Sequence, residues 1–223
     1  MDFPQACLFD LDGVLLDTEG LHKQAWSKTA ESFGGKLSED QLLMLQGRRR
    51  LDCAKQILKW IEKAVSIEDF LKIHQPIYNK LMTNVEEIQG ASELIRWCFE
   101  SNIPMALVTS SSKISVKNKS GSNTWLKLIT TRVYGDDSEL SKGKPEPDPY
   151  LLAAKKLAID PKLCWAIEDS ESGTNAALKA GCKVWMLNIN ADTKSNKDNK
   201  EFSNLYQINH LNQFLTKLQE ARR

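Results

Sequence analysis

Short apolar runs that end in polar or charged residues punctuate the chain: Ala6 to Phe9, Met105 to Val108, Arg132 to Tyr134, Trp165 to Ile167 and Val184 to Leu187. Unbroken runs this short read as strands buried on both faces. Between them the apolar spacing changes to three and four. Leu94, Ile95 and Cys98 precede the second run; Ala176, Ala177 and Ala180 precede the last, with Gly181 placed to stop that helix. Strand and helix alternate, which predicts an α/β fold, a parallel sheet covered by helices on both faces.

One region breaks the alternation. From about Asp17 to Val85 the signals are helical only, including Ala54, Ile57, Leu58 and Ile61, then Ile67, Phe70, Leu71, His74, Tyr78 and Leu81. The region reads as a helical subdomain inserted after the first strand, which divides the chain into a core (1–16 and 88–223) and an insert (17–87). Its two connections, near Asp17 and near Ile88, are placed to act as a hinge. The polar stretch Asp192 to Lys200 reads as a solvated loop without chemistry. Leu211, Phe214, Leu215 and Leu218 predict a terminal helix within Asn209 to Leu218.

Composition narrows the classes. A chain of 223 residues can bury a sizeable core. Lys and Arg (30) almost balance Asp and Glu (29), so no global field draws in nucleic acid or an anionic membrane, and a small partner is expected. The five cysteines are scattered without CxxC spacing, which argues against a disulfide framework or a zinc site. Asp2 stands where a signal peptide would be basic, and no apolar stretch approaches the length of a membrane span. The expected compartment is the cytoplasm, and the expected state a monomer or weak dimer.

The chemistry concentrates at the strand ends. Asp10 and Asp12 follow the first run, Thr109 and Ser110 the second, Lys144 comes shortly after the third, and Glu168 and Asp169 follow the fourth. In an open parallel sheet such ends line one crevice. Carboxylates crowded there repel one another by several kcal/mol at intermediate dielectric, on the order of the Coulomb energy at contact, unless a cation joins them. A hard divalent ion with oxygen ligands, Mg2+, is the natural remedy. Asp10 needs no deprotonation near neutral pH to attack phosphorus, and Asp12 is placed to exchange protons with the leaving group and with water. Thr109, Ser110 and Lys144 suit the oxygens of a transferring phosphoryl group.

Four motifs, FDLDGVLLDTE (9 to 19), ALVTSSS (106 to 112), GKPEPDPYLLAAKKL (143 to 157) and AIEDSESGTNAALKAG (166 to 181), resemble those of the haloacid-dehalogenase-like superfamily. The likeness is to its phosphatase and β-phosphoglucomutase-like branch. The resemblance implies a Rossmann-like parallel sheet sandwiched by helices with an inserted α-helical cap domain. It implies Asp10 as nucleophile, Asp12 as acid and base, Thr109 and Ser110 as phosphate contacts, and Lys144 as charge neutraliser. It also implies Mg2+ held by Asp10, by the carbonyl of Asp12 and by Asp169, with Glu168 assisting. Gln89 stands where the family often has Pro, and KNKSGSNTWLKLITT after the second motif does not align.

In the insert, LDTEGLHKQAW and LQGRRRLD resemble substrate-facing segments of that branch, which makes His22, Gly47 and Arg50 candidate contacts. Arg50 is suited to a distal phosphate, gripped bidentately. The expectation is a phosphatase acting on a small phosphorylated metabolite, with a sugar phosphate as the favoured class. Phosphoryl transfer of the β-phosphoglucomutase type is the alternative. A phospho-accepting signalling module is a reading of another class, disfavoured by the acceptor's place on the first strand and by the insert.

Overall fold

The structure, a computed structural model, describes residues 2–83, 85–121, 123–189 and 203–223; the polar stretch Asp192 to Lys200 lies outside the described residues. The strands are β1 (Ala6–Phe9), β2 (Met105–Val108), β3 (Thr131–Val133), β4 (Cys164–Glu168), β5 (Lys183–Leu187) and β6 (Leu205–Ile208). All pair in parallel in the order β3-β2-β1-β4-β5-β6, the Rossmann-like α/β architecture expected. β4 and β5 each begin one residue before their apolar runs, at Cys164 and Lys183, and β4 extends to Glu168; two further details differ. β3 starts at Thr131, one residue early, and β6 corresponds to no predicted run. Both are edge strands. Thr131 and Arg132 are half-buried, as are Leu205 and Tyr206, so neither strand needs a continuous apolar run.

The central strands are apolar throughout because both faces are covered. Cys7 and Phe9 pack on one side with Leu94 and Ile95 of α5 (Ala91–Glu100) and with Phe214 and Leu218 of α9 (Leu211–Arg222). Ala6 and Leu8 point the other way, toward Tyr150 and Ala153 of α7 (Asp148–Leu157) and Ala176 and Ala177 of α8 (Glu171–Ala180). Gly181 ends α8 in the left-handed region, φ 95°, as the sequence predicts. Phe214 meets Phe9, Trp165 and Trp185 edge-on, which fixes the terminal helix.

Between β1 and α5 come four helices: α1 (Glu19–Ser32), α2 (Glu39–Leu45), α3 (Arg50–Ile61) and α4 (Ile67–Leu81). Ser38 and Gln41 form a capping box at the start of α2, and Ser66 caps α4 through the Asp69 N–H. These helices bury a cluster of their own, including Trp26, Leu45, Ala54, Ile57 and Phe70. Their connections to the sheet run side by side: the Asp17 N–H donates to the Glu86 carbonyl (2.9 Å) and the Ile88 N–H to the Leu15 carbonyl (3.1 Å). Among the described residues no helix is long and apolar enough to cross a membrane.

His74 is buried in α4, stacked on Trp26 at 3.8 Å between ring centroids, and neither ring nitrogen finds a hydrogen-bond partner among the described residues. Burial, aided by Arg50 and His22, pushes its pKa down to about 3. A depressed histidine is neutral in both states above its unfolded value of about 6.5 and costs nothing there. Below that value the unfolded chain gains a proton that the folded chain refuses, so stability falls from about pH 6.5 toward about 3, at roughly 1.4 kcal/mol per pH unit. His74→Phe keeps the stack and removes the penalty. Denaturant titrations at pH 8 and pH 5 should show the variant gaining about 2 kcal/mol on wild type at the lower pH. Parallel pH dependence in the two proteins would contradict this.

Candidate active site

The register of the sheet puts the functional side chains on one edge. Phe9 pairs with Leu107 on one side and Ile167 on the other, so β1, β2 and β4 end nearly level. The Asp10 N–H continues the ladder to the Ile167 carbonyl at 3.1 Å. Gly13 then turns the chain with φ 84°, and a Cβ there would collide with the Asp169 carboxylate and Glu19, so only glycine lets the turn pack this closely.

Lys144 organises the centre. Buried at 3% exposure, its ammonium donates to Asp10 Oδ1 (2.5 Å), to the Val108 carbonyl (3.0 Å) and to Glu168 Oε1. Glu168 also accepts from the Tyr150 hydroxyl, and its other oxygen from Ser170 Oγ at 3.2 Å. One carboxylate oxygen each of Asp10, Glu168 and Asp169 lies within 4.8 Å of the others, an all-oxygen set suited to a hard divalent cation. Burial, opposed by Lys144 and reinforced by Glu168 and Asp12, lifts Asp10 to about 7. Burial together with Glu19, Asp10 and Glu168 pushes Asp169 well above the usual carboxylate range. Burial and the neighbouring Asp12 and Asp10 raise Glu19 to about 8. Negative charge is in excess here, and the donor set fits a cation that would relieve it.

Asp12 is saturated instead. Its Oδ1 accepts from Thr18 Oγ1 (2.6 Å), His22 Nε2 (3.2 Å) and the Lys119 ammonium; its Oδ2 accepts from Ser111 Oγ (2.9 Å) and Thr109 Oγ1 (3.4 Å). Burial opposes its ionisation, but Lys119 and His22 outweigh burial and hold Asp12 well below the usual range.

A cavity of about 670 Å³ opens between the strand ends and α1 to α4, the size of a metabolite site. Asp10, Asp12 and Ser110 line it, as do His22, Gly47 and Arg50 from the insert, whereas Thr109, Lys144, Glu168 and Asp169 stand behind it. Two candidates are already engaged. Ser110 Oγ donates to the Gly47 carbonyl at 2.7 Å, and Arg50, exposed, donates to Gln75 and to the Leu71 carbonyl (3.3 Å). Trp26 belongs to the insert's cluster and also lines the cavity, while Trp60 only packs against that cluster. Gln46 Nε2 reaches Asp169 Oδ2 at 2.7 Å, and a side chain at Gly47 (φ 73°) would strike Ser170, so this segment sits directly on the strand-end loops.

Sequence reasoning missed Lys119, Ser111, Thr18, Tyr150, Glu19 and Gln46. For Lys119 a signal existed: it follows the buried Val116 by three residues in α6 (Lys113–Ser120), hence on the same inward face. Tyr150 and Gln46 act at long range and carry no local mark.

A parallel sheet whose central strand ends gather carboxylates, hydroxyls and buried lysines beneath a metabolite-sized cavity defines an α/β enzyme with an anion-handling site. The sequence profile of the family described as haloacid dehalogenase-like hydrolase matches residues 7–187. The chain belongs to that family, among its phosphohydrolases. It is 33% identical over 177 residues to the bifunctional riboflavin kinase/FMN phosphatase of Arabidopsis thaliana, covering 79% of this chain but only 46% of that protein's length. It is 31% identical over 178 residues to the phosphorylated carbohydrates phosphatase of Thermotoga maritima, covering 79% of this chain and 82% of that one. The crystal structure of β-phosphoglucomutase from Clostridium difficile superposes with a TM-score of 0.82 at 25% identity, over 98% of this chain and 96% of that one.

Replacing Lys144 with Met strands two buried carboxylates. In metal-free buffer the unfolding free energy should fall by about 3–5 kcal/mol, read as a lower urea midpoint with unchanged slope. A loss under about 1 kcal/mol would show that Lys144 does not neutralise the centre.

Proposed function

We propose that the chain is a Mg2+-dependent phosphatase that hydrolyses a small phosphorylated metabolite, in particular a sugar phosphate, through an aspartyl-phosphate on Asp10. The observation that carries this reading is the setting of Asp10: it lines the cavity, Lys144 holds its Oδ1, and its Oδ2 takes no hydrogen bond from the described residues. Residues 17–87 act as the cap over a core of 1–16 and 88–223, with the paired connections at Asp17 and Ile88 as its hinge.

Asp10 Oδ2 attacks phosphorus as the bond to the ester oxygen breaks, and the departing oxygen takes a proton from Asp12. Water then attacks the aspartyl-phosphate, Asp12 takes the water's proton, and inorganic phosphate leaves with Asp10 restored. Asp12 must carry a proton in the first step. As now bonded it is an anion, so substrate entry must displace some of its five donors. Ser110 exchanges the Gly47 carbonyl for a phosphoryl oxygen, while Thr109 and Lys144 balance charge from behind. Held by Asp10, Asp169, Glu168 and the Asp12 carbonyl, Mg2+ supplies the positive charge that offsets the carboxylates and the incoming phosphate dianion.

The cap candidates His22, Gly47 and Arg50 face the leaving group. The likeness to β-phosphoglucomutase supports a second reading, phosphoryl transfer between sugar positions, for which Arg50 would grip a distal phosphate. Arg50 is committed to Gln75 and Leu71, so hydrolysis is preferred. The balanced charge and the five free, buried cysteines support a cytoplasmic enzyme, monomeric or weakly dimeric, acting on neither nucleic acid nor membrane.

The pure protein should hydrolyse p-nitrophenyl phosphate with Mg2+ and stop on chelation. Asp10→Asn should lower kcat by roughly three orders of magnitude or more with an unchanged circular dichroism spectrum. Wild-type activity in that variant would overturn the assignment. On β-glucose 1-phosphate with trace bisphosphate, phosphate release should outpace isomerisation; the reverse would select the mutase.

A further inference from the structure

The helix α6 carries three lysines with different fates. Lys113 and Lys117 are exposed, whereas Lys119 is buried at 1% exposure on the inward face beside Val116. Taking an ammonium out of water costs several kcal/mol, on the order that only a close counter-charge repays. Among the described residues Lys119 has one carboxylate partner, Asp12 Oδ1, and it also donates to Ser111 Oγ at 2.8 Å. Ser111 in turn donates to Asp12 Oδ2 at 2.9 Å, so Lys119 and Ser111 brace both oxygens of one carboxylate. Asp10 and Glu168 have Lys144 as their ion-pair partner, and Lys119 makes no ion pair with either of them.

The other strong donors to Asp12 Oδ1, Thr18 and His22, sit at the hinge and on the first helix of the cap. On the reading of residues 17–87 as a hinged cap, both travel with it, whereas Lys119 lies on α6, in the core segment 88–223.

We propose that Lys119 is a positioning residue for Asp12: together with Ser111 it holds the carboxyl in line with the departing ester oxygen, and so sets the enzyme's ability to expel leaving groups that need a proton. The inference rests on the reading of Asp12 as proton donor. Lys119 keeps its own protons throughout; the proton that reaches the ester oxygen as the phosphorus–oxygen bond breaks comes from Asp12. The substrates that depend on Lys119 are therefore esters of poorly acidic alcohols, including sugars.

Phenyl phosphate and p-nitrophenyl phosphate test this, because they are close in shape and differ in leaving group. The nitro group stabilises the departing phenolate, which then needs little help from an acid. kcat/KM reports only the steps through loss of the leaving group. With saturating Mg2+, Lys119→Met should raise the p-nitrophenyl to phenyl ratio of kcat/KM about tenfold or more, and Lys119→Arg should bring it back toward wild type. Asp12→Asn should raise the ratio by itself, and adding Lys119→Met to it should change the ratio less than about twofold, since the two act as one unit. That double variant leaves no buried charge unpaired and carries the test if Lys119→Met alone does not fold. Equal losses on both substrates in Lys119→Met, or a full additional loss in the double variant, would overturn the proposal. A wild type inactive on both esters removes the parent reading and this inference with it; an active wild type with an unchanged ratio in Lys119→Met removes this inference alone.

Discussion

The ammonium of Lys144 stands between Asp10 and Glu168 with almost no exposure to water, and the rest of the site is arranged around that contact. Burying any one of these three charges alone in so dry a place would be costly, and their mutual contact offsets that cost. Glu168 is further tied down by Tyr150 and Ser170, so the triad is rigid from the sheet outward. One oxygen of Asp10 is thereby fixed, while the other takes no hydrogen bond from the described residues. The compensation is incomplete: Asp169 and Glu19 add charge that Lys144 does not reach, and both are pushed toward the neutral form. This imbalance is the physical reason to expect a divalent cation, because the crowding is costly until a cation joins the set.

Asp12, two residues from Asp10, lives under the opposite regime. Five donors surround it and keep it ionised, while Asp10 is raised toward neutral pH. Separation of the two carboxylates into different electrostatic settings is the usual basis for dividing nucleophilic and acid–base work between like groups. The division is built by sequence-distant elements. Lys144 comes from the loop before α7, Lys119 from α6, and Thr18 and His22 from the start of the insert. The level ends of β1, β2 and β4 make their convergence possible.

Much of this was legible in the sequence because it is encoded locally. Central strands are apolar on both faces and stand out as runs; FDLDG carries the proposed nucleophile, the proposed acid–base group and the turn glycine within five residues; the lone inserted stretch of helical periodicity lies where α1 to α4 are found. What escaped is what depends on three-dimensional neighbours. β6 pairs only with β5 at the sheet edge and so lacks the apolar signature. Lys119 looks like its solvated neighbours Lys113 and Lys117 until its depth is known. Arg50, a candidate substrate contact by sequence, does line the cavity wall, but its hydrogen bonds to Gln75 and the Leu71 carbonyl carry no mark in the sequence. Residues of the insert are the least legible because their role depends on what enters the cavity, whereas those at the strand ends are constrained by one another.

The account turns on which atom accepts the phosphoryl group. The direct measurement is acid quench of the Asp12→Asn variant, whose slowed hydrolysis lets a phosphoenzyme accumulate, after mixing with Mg2+ and phosphorus-labelled p-nitrophenyl phosphate, followed by peptide mass spectrometry. The label should appear as an acid-stable, hydroxylamine-labile acyl phosphate on the peptide containing Asp10; covalent phosphate on any other residue would contradict the account.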